Sequence, residues 1–100
     1  MSDFGAGLYN AEHAIKQIVP AIVARHRQAG VLTWRLMHQI EDEVMAELAA
    51  TGKHSKQLIR MLGSQGLMNY PKDETEVSLK GHEAVPIVFS EVNRAWHEGE

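Results

Sequence analysis

From Val44 to Leu62 the apolar residues recur at steps of three and four, and a single polar turn, Gly52-Lys53-His54, divides the run. That spacing puts Val44, Met45, Leu48 and Ala49 on one stripe, and Leu58, Ile59, Met61 and Leu62 on another. Ser55 follows the turn as the expected N-cap, its hydroxyl placed to accept from a first-turn N–H that has no partner within the helix. Gly66 with Leu67 behind it reads as a left-handed stop and an apolar return to the core.

The first of these helices extends backwards. Thr33 is a second expected N-cap, and Trp34, Met37, Ile40, Val44 and Leu48 continue the stripe with no Gly or Pro between them. One continuous helix over about 33–51 is therefore expected in preference to two shorter ones. Upstream, residues 10–30 carry Ile15, Ile18, Val19, Ile22 and Val23 at helical steps, with Asn10 as the cap. Pro20 lies inside that run and removes a backbone donor, so a kink or a break is expected there. Residues 1–8 contain two glycines and show no period, and read as a flexible arm before a single domain over 9–100.

Beyond Leu67 the period changes from helical to alternating. Thr75, Val77 and Leu79 fall on one side of an extended segment, and Glu76, Ser78 and Lys80 on the other. With Met68–Tyr70 as partner and Pro71-Lys72-Asp73-Glu74 as turn, a hairpin is expected. Two strands alone are marginal in water, so the hairpin should pack on the helices.

This order of elements resembles the winged helix-turn-helix family, especially the small MarR, PadR and ArsR-like regulators. The run "SKQLIRMLGSQGLMNY…TEVSLKGHEAV" is similar to their recognition helix, wing and following turn, over roughly residues 43–85. The resemblance implies a mainly α fold with a small β-hairpin wing at about 67–80, flanked by N- and C-terminal helices. It implies duplex DNA as partner, with Ser55, Lys56, Gln57 and Arg60 on the base-reading helix and Lys72 at the wing tip; Ser64 joins them from the helical spacing, which leaves it facing outward. Lys53, Lys56 and Arg60 lie within eight residues without an acid among them, which makes phosphate contact from here electrostatically reasonable. The wing departs from the family pattern, carrying Asp73, Glu74 and Glu76 where many wings carry Arg or Lys.

Charge and residue usage narrow the alternatives. A net charge of −3 excludes a surface that is basic throughout. Glu41, Asp42, Glu43 and Glu47 precede the basic stretch, which predicts an electrically two-sided molecule. The chain has no cysteine, so disulfides, thiolate metal sites and cysteine nucleophiles are excluded. Six histidines raise the question of metal, but no HxH or HExxH spacing occurs, and neither metal nor cofactor is expected. Without a phosphate loop, a nucleophile elbow or convergent carboxylates, no enzyme is expected either; Glu41 and Glu43, two apart on a helix, face different ways. No signal-like or membrane-length apolar run is present, which makes the cytoplasm the expected location.

After Gly81, Val85, Val88, Phe89, Val92 and Trp96 form a stripe on a terminal helix, with Pro86 suited to its first turn. Such a stripe can close the domain core or form a two-fold seam; the resemblance favours a homodimer built on it. The rival to DNA binding is a protein-interaction module, a phage-type adaptor or inhibitor docking through its acidic face or its Trp-bearing helix.

Overall fold

The computed structural model describes residues 3–64, 70–82 and 84–99. Its elements are α1 (Asp3–His26), a 3-10 turn (Arg27–Ala29), α2 (Trp34–Ala50), α3 (Lys56–Leu62) and α4 (Ile87–Glu98). α1 lies against α2, α3 and α4, and α2 in turn packs on α3 and α4. One core results, in which Ile15, Val19 and Ile22 of α1 meet Met37, Ile40, Val44 and Leu48 of α2 and Val88, Phe89, Val92 and Trp96 of α4.

The caps follow the sequence. Thr33 accepts from the Leu36 N–H at 3.2 Å and Ser55 from the Leu58 N–H at 3.1 Å, and α2 runs unbroken to Ala50. α1 differs from expectation at both ends of its argument. It begins at Asp3, so the residues expected as an arm form its first turns from that point, and it continues through Pro20 without dividing. Pro20 is exposed, whereas Val19, Ile22 and Val23 beside it are buried. Burial of those neighbours holds the helix together, and water can serve the carbonyl that proline leaves without a donor. Pro86 lies just outside α4, as its extended N-cap residue.

The expected β-hairpin wing is not formed: among the described residues there is no strand, only an isolated bridge between Thr33 and Glu76. Its physical reason lies at the start of α2. The first amides of a helix have no partner within it, and here Trp34 N–H donates to the Thr75 carbonyl at 2.9 Å and Arg35 N–H to the Asp73 carbonyl at 2.8 Å. Val77 N–H completes the set by donating to the Leu32 carbonyl at 2.8 Å. The extended segment thus spends its hydrogen bonds on the chain entering α2. Alternation survives in the side chains from Glu76 onward, since Val77 is buried and Leu79 half-buried while Glu76, Ser78 and Lys80 face water; Thr75, expected on the inner side, is exposed. Tyr70, expected in the partner strand, is instead buried among rings, with centroids 5.0 Å from Phe89, 5.6 Å from Trp34 and 4.7 Å from His82. Its hydroxyl donates to the Ala84 carbonyl at 2.7 Å. Gly66, Leu67 and Met68 lie outside the described residues.

Candidate nucleic-acid interface

α3 is only seven residues long, too short to hold its shape alone. Leu58 and Leu62, one turn apart, are buried and fasten it to the core. That leaves Lys56, Gln57 and Arg60 exposed on the other face, with Met61 59% exposed beside them. Lys53 in the preceding turn and Lys72 beyond the helix are exposed as well. Among the described residues none of these four cations is paired with a carboxylate, whereas Arg25, Arg35 and Arg94 all are.

The end of α3 is set by a buried clamp. Glu41 of α2 is 6% exposed and accepts two hydrogen bonds from Ser64, the backbone N–H at 2.5 Å and the hydroxyl at 2.7 Å. Gly63 fits between them because it has no side chain: a Cβ there would lie 3.0 Å from Glu41 Oε2 and 3.1 Å from the Met45 methyl carbon. His38, one turn before Glu41, has Nδ1 3.6 Å from Glu41 Oε1 and Nε2 2.8 Å from the Pro71 carbonyl. A carbonyl only accepts, so Nε2 carries the proton. Through these bonds α2 fixes both the chain leaving α3 and the segment carrying Lys72. Arg60 and Lys72 consequently border one cleft of about 530 Å³, together with Asp42, Met45 and Ile59.

Of the residues expected to read DNA, Lys53, Lys56, Gln57, Arg60 and Lys72 are thus outward-facing. Ser55 is exposed, with its oxygen engaged as a cap. Ser64 is a correction: it is buried, and its polar groups point inward to Glu41 because the helix has already ended at Leu62. The expected two-fold seam needs a similar correction. Val88, Phe89, Val92 and Trp96 are at most 2% exposed, and Val85 is half-buried against the same core, so the stripe is consumed within one chain. α4 is needed there because α1 and α2 leave an apolar groove between them.

The Glu41 and His38 roles were not anticipated from the sequence. A signal exists: Glu41 stands four residues after Met37 and three before Val44, on the buried stripe itself. An acid in that register requires a donor, and Ser64 is the nearest polar residue after the α3 stripe. The acids opposite behave similarly. Glu74 pairs with Arg35 at 2.8 Å, and Asp73 accepts from the Thr75 hydroxyl at 2.5 Å and the Thr75 N–H at 3.0 Å. Those bonds from Thr75 hold the Asp73 carboxyl below the usual aspartate range.

The fold and surface together define a small helical domain with a short, externally basic helix pinned across its longer partner. The chain belongs to the DUF2471 family, a family of proteins of unknown function, whose model matches residues 3–100. No curated protein and no solved structure matches it. Among the described residues no helix is long and apolar enough to cross a membrane, and no three His, Asp or Glu side chains converge as a metal site would require.

Proposed function

We propose that this protein binds duplex DNA and acts in the cytoplasm as a small transcriptional regulator, with α3 entering the major groove. The observation that carries the reading is the outward face of α3, where Lys56, Gln57 and Arg60 stand exposed without an acidic partner among the described residues. Gln57 and Arg60 have the donor and acceptor patterns suited to adenine and guanine edges, while Lys53, Lys56 and Lys72 suit phosphates. The buried anchors Leu58 and Leu62, with the Glu41 clamp behind them, support the reading because base contacts need a helix of fixed position.

Selection from a random duplex library, read at two salt concentrations, tests it. A recovered motif whose binding falls on the order of 1 to 3 kcal/mol with Arg60→Ala supports base reading by that residue. Lys53→Ala should weaken binding to every duplex and flatten the salt dependence. Unchanged binding in both variants, or no duplex retained at low salt, rejects the proposal.

One observation favours the rival protein-interaction module. Met61 is exposed at the edge of a groove of about 480 Å³ lined by Leu8, Leu62, Val85, Pro86 and Ile87. An apolar groove of this kind accepts a partner's side chains, and a homodimer would have to use a surface such as this one in place of the α4 stripe. Light scattering on the wild type and Met61→Glu separates these cases: a dimer dispersed by the substitution assigns the groove to self-association.

A further inference from the structure

We infer that a cleft on the side of α3 away from Arg60 is a binding site for a small phosphate monoester with an apolar body. The cleft has a volume of about 710 Å³ and lies between α1 and the turn leading into α3. Its polar wall is formed by Asn10 and His13 of α1 and by Lys53 and His54 of the turn. Its apolar wall comes from Ala14 and Leu58. Small-molecule sites are typically about 300–1,000 Å³, with few polar groups set in an apolar lining, and this cleft has that size and make-up.

Charge identifies the class of ligand. Lysine is cationic, and each imidazole can donate from one ring nitrogen when neutral and from two when protonated. Among the residues whose side chains the structure describes, no carboxylate lines the cleft, although acids outnumber bases in the chain as a whole. The lining therefore includes donors from α1 and from the turn before α3, and the matching group is a compact oxyanion with several acceptors. A phosphate supplies acceptors in several directions, whereas a carboxylate has its two oxygens in one plane. Tyr9 stands nearly parallel to the His13 ring, with centroids 6.5 Å apart, and is 70% exposed. That ring pair bears on the orientation of the imidazole, and Leu58 and Ala14 supply apolar lining for a ring or alkyl body.

The site is independent of duplex binding, except that Lys53 belongs to both. The six histidines supply the assay, because each ring gives its own proton and carbon signals in NMR. Phenyl phosphate is the probe, with inorganic phosphate as its comparison. The expected result is a saturable, joint movement of the His13 and His54 ring signals while those of His26, His38 and His82 stay in place. Phenyl phosphate should bind about tenfold more tightly than inorganic phosphate, in keeping with the apolar wall. The double variant His13→Asn, Lys53→Gln changes only exposed residues and should weaken it by at least about tenfold.

Three outcomes overturn the inference. One is the absence of a saturable shift up to about 10 mM phenyl phosphate, the weak limit for a specific small ligand. Another is equal affinity for the two phosphates, or movement of all the histidine rings alike. The third concerns the source of the phosphate: a DNA duplex that shifts the His13 and His54 rings and excludes phenyl phosphate assigns the cleft to the nucleic-acid backbone.

Discussion

Replacing Glu41 by alanine tests whether α3 is held from behind. Glu41 and Ser64 are 6% and 7% exposed, so water cannot take over the two bonds between them. The substitution strands the Ser64 N–H and hydroxyl, and a buried polar group left unpaired costs about 1–3 kcal/mol. Two effects reduce the sum: the hydroxyl can rotate to another acceptor, and removing a buried carboxylate recovers its desolvation cost. A net loss of about 2–3 kcal/mol follows. For a domain of this size each kcal/mol is worth about 4–8 °C, so the thermal midpoint should fall by roughly 10–20 °C. Urea unfolding followed by Trp34 and Trp96 fluorescence measures the same loss as a midpoint change at constant slope.

The neighbouring variants make the test sharper. Ser64→Ala removes one bond but keeps the backbone N–H paired with Glu41, and should cost about 1 kcal/mol. Glu41→Gln retains one acceptor and should fall between the two. If Glu41→Ala leaves stability within about 0.5 kcal/mol of wild type, or if Ser64→Ala costs as much as Glu41→Ala, the clamp is not what positions the end of α3.

Other changes address different parts of the molecule. Ser55→Ala removes the cap of a seven-residue helix and should cost about 1 kcal/mol, read by urea unfolding, with a parallel loss of duplex affinity. Burial raises the Tyr70 hydroxyl above the ordinary tyrosine range. The unfolded chain therefore loses this proton first, and the contribution of Tyr70 is complete below the ordinary value and lost as pH rises through the folded one; Tyr70→Phe should flatten the alkaline limb of a stability–pH curve. Thr75→Val removes the side-chain donor that most lowers the Asp73 carboxyl, so its titration by NMR should move up toward ordinary aspartate.

Helix positions were legible because their signals are local. The Trp34–Leu48 stripe, the Thr33 and Ser55 caps and the Val88–Trp96 stripe each specify an element within a few turns of chain. What covers each stripe is a tertiary matter. An α4 stripe looks the same in sequence whether it meets α1 and α2 of its own chain or a second copy. The 75–79 alternation had the same ambiguity. It fixes an extended segment with an inward Val77, but not the donor that will meet its carbonyls, and the start of α2 supplied that donor. The break expected at Pro20 is absent for a related reason: the rule for proline in an isolated helix omits the burial of Val19, Ile22 and Val23 around it.

The acidic stretch before the turn changes meaning once its partners are known, and this bears on DNA binding. In sequence, Glu41, Asp42, Glu43 and Glu47 form a negative block ahead of Lys53, Lys56 and Arg60. In the fold, Glu41 turns inward to Ser64, while Glu43 joins the end of α1 through His26 at 2.6 Å and Arg25 at 3.6 Å. Two of the four acids are therefore internal fastenings, and Asp42 is the exposed one that borders the Arg60 and Lys72 cleft. If α3 reads duplex DNA as proposed, a carboxylate at that edge opposes phosphate but can accept from a cytosine amino group, and would bear on which duplex is held as well as on how tightly. Asp42→Asn separates the two effects. Repulsion alone predicts a uniform gain across sequences that fades with added salt, and base contact predicts relaxed preference at one position of the selected motif.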